Sequence, residues 1–270
     1  MNPEEHGFYV YCIAEVGPAQ SIASDGLPSA IEEDALLELI TGGNLAAVAS
    51  VVPLSSYGED ALSQNLDDPS WTAVRAMRHE RVVEHFAKRI SIVPLRFGTI
   101  YLERNRVEQM LSDRRAELSA ILERIRDREE WGINVFSNRA KLMEAIEGLS
   151  SRLRQLTDEA QNASPGQAYL IQKKLEGLKS EEARSELARM VDEVEARISR
   201  VVDAAKRLRV LKVESTESGE LKAKFAFLVK RSQFDSFRDA AEELANEMNG
   251  AGIRLELTGP WPAYNFADVR

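Results

Sequence analysis

One cysteine, Cys12, stands in 270 residues, which excludes an internal disulfide framework and fits a reducing compartment. No apolar run approaches the roughly 20 residues that span a bilayer. The opening Met1-Asn2-Pro3-Glu4-Glu5-His6 has neither the basic nor the apolar stretch of a secretory leader. Cations are outnumbered, with 35 Lys and Arg against 44 Asp and Glu and a formal net charge of −9. A nucleic-acid binder normally carries the opposite footprint. Phosphate-cradling glycine motifs, a nucleophile with a base at useful spacing, and cysteine–histidine clusters are also missing. His79 and His85 lie six residues apart, about 240° around a helix, and share no face. These absences lead to the expectation of a cytoplasmic protein without nucleic acid, membrane, metal or cofactor, with no catalytic residues and no enzymatic activity. Cys12 is expected to be a small buried hydrophobe.

What is present is globular: 44% hydrophobic and 29% charged residues, in a chain long enough for one large domain or two ordinary ones. Two stretches organise it. Ser91–Tyr101 reads as one buried strand, its apolar run interrupted by Arg96 and closed by Gly98. Gly259–Phe266 places Trp261, Tyr264 and Phe266 among prolines that forbid helix. Three large aromatics so close together predict a tail that docks back on the body of the protein.

In chain order, Phe8–Glu15 predicts a strand, Gly17–Pro28 a loop, Leu45–Leu54 a strand and Glu59–Leu66 a short helix. Trp71–Arg89 reads as a helix with Val74, Met77, Arg78, Val82, His85 and Phe86 at helical steps. Glu32-Glu33 and Asp67-Asp68 read as helix starts. Leu102–Arg128 reads as one long helix, and a domain boundary is placed near residue 129. Ile133–Phe136 is the next strand. Leu142, Ile146, Leu149, Leu153, Leu156 and Ala160 then alternate at four and three. Leu187, Val191, Val194, Ile198, Val201 and Ala205 repeat that seam on a helix over 167–206. Two such arms predict an antiparallel helical hairpin of coiled-coil type. Arg209–Glu214 and Lys222–Lys230 read as strands around the turn Ser215–Glu220, Ser232–Asn249 as a helix, and Ile253–Leu257 as a last strand. The fold class is α+β in two domains. Residues 1–129 form an α+β domain, and 130–258 a modified ferredoxin-like β-α-β-β-α-β domain with a helical insertion at about 150–206. The tail, 259–270, is expected to dock at the N-terminal domain.

Pro94-Leu95-Arg96-Phe97-Gly98-Thr99, followed much later by Gly259-Pro260-Trp261-Pro262-Ala263-Tyr264-Asn265-Phe266, resembles the gas vesicle protein F / protein L family. Tyr9–Ile13, His79–Glu84, Glu130–Val135 and Gly166–Leu170 follow the family's order. The likeness therefore spans the chain, with departures at Cys12, where glycine is expected, and at Ala263, where proline is common. The resemblance implies the same two-domain plan. It also implies an accessory component of gas vesicles, the gas-filled organelles of aquatic prokaryotes. Such a component binds the hydrophobic shell protein A, works with other gas vesicle accessory proteins and assists nucleation or assembly of the shell. The family signature, Arg96, Phe97, Gly98, Trp261, Tyr264, Asn265 and Phe266, supplies both the candidates for partner contact and the candidates for holding the domains together.

A reading from another class rests on Phe225 and Phe227. They alternate on one strand of the expected ferredoxin-like domain, as base-stacking aromatics do in RNA-recognition sheets. Burial of both rings under helices would end that reading.

Overall fold

The computed structural model describes residues 5–210, 215, 216 and 219–267. The chain divides into two compact units: Met1–Glu129 with Trp261–Arg270, and Glu130–Pro260.

The first unit contains β1 (His6–Glu15), α1 (Val16–Ser24), β2 (Leu37–Gly42), β3 (Leu45–Pro53), α2 (Leu54–Tyr57), α3 (Glu59–Leu66) and α4 (Pro69–Ala87). It continues through β4 (Val93–Pro94), β5 (Ile100–Tyr101), α5 (Arg104–Asp113) and α6 (Arg115–Arg124). Its sheet has the order β2-β3-β1-β4, with β5 also on β1, and these neighbours pair antiparallel. β1 is the buried centre: no residue from Tyr9 to Ala14 reaches solvent, as expected for a strand covered on both faces. Its register with β3 shifts between Val10 and Cys12. A bulge puts two successive residues on one side, so Tyr11 and Cys12 share a core cluster with Tyr9, Ala14 and the α4 residues Val82, Val83 and Phe86. α5 packs on β2 and β3, and α6 on β4. Gly42 permits that approach, since a Cβ there would stand 2.7 Å from Leu111 Cβ.

Several expectations are corrected here. Residues 17–28 begin as helix α1, because Pro18 sits in the first turn, where its missing N–H is not needed. β2 was not anticipated. Ser91–Tyr101 is not one strand: a turn with Gly98 at φ 83° separates β4 from β5. The single helix expected over 102–128 is two, broken at Arg114 (φ −99°, ψ 12°), the second ending at Arg124 and β6 (Arg128–Ser137) beginning at the predicted last residue. On α4 the buried residues are His79, Val82, Val83 and Phe86, whereas Val74 and Met77 are exposed. Asp68 does cap α4, accepting from Ser70 N–H at 2.9 Å. Glu32 and Glu33 start no helix and instead pair with Arg75 and Arg78 of α4.

The second unit follows with β6, α7 (Arg139–Leu149), α8 (Ser151–Gln161), α9 (Pro165–Ile198), β7 (Ala204–Leu208), β8 (Ser215–Thr216) and β9 (Gly219–Lys230). A 3-10 turn, α10 (Phe234–Asn249) and β10 (Ile253–Trp261) complete it. Its sheet order is β10-β6-β9-β7, with β8 on β9. Ile133, Val135, Phe225 and Phe227 from the sheet pack with Val191, Val194 and Ile198 of α9 and Phe237 and Leu244 of α10. Phe225 and Phe227 are 1% and 0% exposed, so helices cover both rings and the base-stacking reading is overturned.

α9 is about 51 Å long at 1.5 Å per residue, and its two parts serve different cores. Its C-terminal part closes the sheet, while Leu175 and Ala183 pack with Leu142 and Ile146 of α7 and Leu153 and Leu156 of α8. Ser164 and Gln167 form a capping box around Pro165 at N1, which fixes where α9 begins. The first arm breaks at Ser150, whose extended backbone (ψ 120°) lets its Oγ accept from Leu153 N–H. The helix also ends earlier than expected: Ala205 lies on β7, paired with Phe227. The strand expected over 209–214 falls mostly on 211–214, outside the described residues. Ser215 pairs with Glu220 and Thr216 with Gly219.

Candidate tail-docking site

The alternation of β1 sends Tyr9 and Tyr11 to the face crossed by α4, and the buried stripe of α4 delivers His79 to them. The Tyr9 hydroxyl lies 2.9 Å from His79 Nδ1, and the Tyr11 ring stacks on the imidazole at 5.7 Å and 25°. From the turn between β4 and β5, Phe97 meets Tyr9 and His79 edge-on at 6.1 and 5.8 Å. Gly98 N–H donates to the Tyr9 hydroxyl at 3.0 Å, an orientation that its left-handed backbone provides and that glycine adopts without steric cost.

The tail closes this cluster. Tyr264, Phe266 and Ala267 donate their N–H groups to Pro262 O, Ala263 O and Ala263 O at 2.7, 3.1 and 2.8 Å, curling the backbone into a compact turn. Pro262, Ala263, Phe266 and Ala267 are buried, and Arg124 of α6 donates to the Phe266 carbonyl. The Tyr264 hydroxyl sits 3.2 Å from His79 Nε2 and donates to Glu80 Oε1 at 2.8 Å.

Proton counting then fixes the tautomer. Tyr264 gives its one hydroxyl proton to a carboxylate that has none to return, so Nε2–H of His79 must donate to Tyr264. In a neutral ring Nδ1 is then an acceptor, and Tyr9 O–H donates to it. With His79 neutral, every polar group in the chain Gly98–Tyr9–His79–Tyr264–Glu80 has a partner. Burial pushes the His79 pKa down to about 4, against a smaller upward pull from the Leu95 carbonyl. Burial also raises Glu80, opposed by its bond from Tyr264, and Tyr264 is raised by burial and by Glu80 beside it.

A second clamp holds the loop before β2. The Tyr11 hydroxyl accepts from Ile31 N–H at 2.8 Å and shares a hydrogen bond with Ser50 Oγ. Arg75 of α4 meets Glu32 at 2.9 and 3.3 Å and lies 4.2 Å over the Trp71 ring. Tyr57 donates to the same carboxylate at 2.6 Å.

Of the signature residues, the structure gathers Phe97, Gly98 and Tyr264 around His79, and Phe266 against α6. Arg96 is exposed, Asn265 is half-buried and Trp261 is 50% exposed, so the expectation that all three tail aromatics would be buried fails at Trp261. Sequence reasoning missed Tyr9, His79, Glu80 and Arg124 as partners of the tail. The one available signal was that Tyr9 and His79-Glu80 lie in segments that carried the family likeness. Cys12 is fully buried and its thiol is pushed up by that burial. Among the described residues no group of three or more His, Cys, Asp and Glu could hold a metal ion, and no helix is long and apolar enough to cross a membrane.

Comparison with known proteins gives one answer. The family model described as "Gas vesicle synthesis protein GvpL/GvpF" matches residues 7–268. The chain is similar to gas vesicle protein L of Streptomyces sp. (strain CB03234), 27% identical over 233 residues, covering 86% of this chain and 83% of that one. It is similar also to gas vesicle protein L1 of Halobacterium salinarum, 23% identical over 97% of this chain and 90% of that one. In fold it resembles crystalline GvpF of Anabaena sp. PCC7120, with a TM-score of 0.67 at 16% identity, covering 98% and 97% of the two chains.

Proposed function

We propose, from the premise that this chain belongs to the gas vesicle synthesis protein GvpL/GvpF family, that it is a non-catalytic cytoplasmic assembly partner. In this reading it binds the hydrophobic shell protein A, cooperates with other accessory proteins and helps the shell to nucleate. The observation that carries the reading is the family match across 7–268, and the surface supports it. Large apolar side chains stand in solvent at Leu36, Met77, Leu170, Tyr169 and Trp261, the kind of surface that an apolar client can cover. A net charge of −9 would keep the loaded complex dispersed. The strand order β10-β6-β9-β7 supports a ferredoxin-like class for the second unit, and the packing of α8 on α9 a coiled-coil-like arm.

Exposure divides the signature residues. Phe97, Gly98, Tyr264 and Phe266 hold the tail in place, and Trp261 presents an aromatic ring to a partner. Co-expression of the full chain with the shell protein is expected to give a complex that co-purifies, and Trp261→Ala to weaken it several-fold while moving Tm by less than about 2 °C. Absence of any complex with the wild-type chain would sink the function. An unchanged complex with Trp261→Ala would remove that residue from the interface.

A further inference from the structure

We infer that the tail is an acid-released strap, with His79 as its trigger. The inference concerns the first unit's own chemistry and does not depend on which polypeptide the chain holds. It follows from the hydrogen bonding around one ring. Nδ1 of His79 takes the Tyr9 proton and Nε2–H serves Tyr264, so a second imidazole proton would have to displace the Tyr9 bond in a ring that the closed tail keeps from water, with the Leu95 carbonyl alone pulling toward the charged form. If Nδ1 gained one, Tyr9 would have to turn its own proton elsewhere, yet its oxygen already receives Gly98 N–H, and the Tyr11 and Phe97 rings wall that side. Lifting the tail removes Tyr264 and lets water reach the imidazole, where the cation is solvated. Protonation therefore favours the open form.

The other groups facing the cluster do not supply this response. Tyr9, Tyr11 and Cys12 on β1, Tyr57 on α2 and Tyr264 on the tail keep their protons throughout the acidic range, each raised by burial. On α4, Glu80 acts in the opposite sense: burial raises it, with Glu84 adding to the rise, so taking up a proton favours the closed tail. The sign for His79 is that of a depressed group. The closed form is fully favoured above the ordinary value of 6.5 and loses ground as pH falls toward about 4.

The test is amide hydrogen exchange on the full chain at pH 7 and pH 5, corrected for intrinsic rates and read at Tyr264, Phe266 and Ala267. Their N–H groups are bonded only while the tail turn holds. Protection of these three is expected to fall by more than tenfold at pH 5, with β1 amides unchanged. His79→Gln should flatten the response, and Glu80→Gln should keep or steepen it. Should His79→Gln fail to fold, the wild-type imidazole is titrated by NMR, and a depressed value with the tail closed is expected. Equal pH dependence in wild type and His79→Gln, simultaneous loss of β1 protection, or a His79 that titrates near 6.5 under a protected tail would each overturn the inference.

Discussion

Tyr264→Ala is expected to lower the stability of the first unit by about 3 kcal/mol and its melting temperature by roughly 10 °C. The ring itself is part-buried beside the cluster of β1 and α4, and deleting a large side chain from such a site costs a few kcal/mol. The hydroxyl adds a second loss, because His79 Nε2 and Glu80 Oε1 both surrender their partner. A buried polar group left unpaired costs about 1–3 kcal/mol. At about 3 °C per kcal/mol for a unit of this size, the two losses give the stated drop. Tyr264→Phe separates them, since it keeps the ring and should recover about half of the loss. Thermal unfolding followed by a probe within the first unit provides the check. A change within about 2 °C for Tyr264→Ala would mean that the tail does not support the unit at all.

Phe227→Ala is expected to destabilise the second unit by about 4 kcal/mol, within the range for deleting a fully buried aromatic. Its ring has no exposure and lies 5.9 Å from both Phe225 and Phe237, at the junction of β9, α9 and α10. Water or rearrangement would have to fill a void touching three elements. Denaturant unfolding read within the second unit measures the loss. A well-folded variant of unchanged midpoint would show that the ring is dispensable to the core.

The sequence displayed some of this directly and hid the rest, for identifiable reasons. β1 and β3 were legible as continuous apolar runs, buried on both faces, and α10 because one face is apolar at the helical period. The helical character of α8 and α9 was legible for the same reason, but the stripe Val191, Val194 and Ile198 closes the sheet rather than a hairpin seam, and Leu175 and Ala183 meet α7 and α8 in its place. The helix break at Arg114 was not legible, because no proline or glycine marks it and propensity runs on across it; at Ser150 the local signal was Gly148, a weak one inside a helical period. At Ser150 the side chain replaces the lost backbone partner, and its bond to Glu182 at 2.7 Å comes from a residue 32 positions away. The stripe on α4 was read too broadly: Met77 and Val74 satisfy the helical period as well as Val82 does, and only the position of Tyr9 and Tyr11 makes His79 a core residue. The bulge that turns Tyr11 and Cys12 to one side leaves no compositional trace. In the site, the signature segments were visible but their meeting point was not. Gly98, Tyr9, His79 and Tyr264 come together from four places in the chain, and a hydrogen-bond circuit of that kind exists only in three dimensions.

The account rests on the tail being part of the first unit's core, and a chain ending at Pro260 tests this most directly. Such a chain loses Pro262, Ala263, Tyr264, Phe266 and Ala267 together, with the bonds to His79, Glu80 and Arg124. Thermal unfolding of the first unit in this shortened chain is predicted to fall by well over 10 °C or to lose its cooperative transition. A transition at the temperature of the full chain would contradict the account.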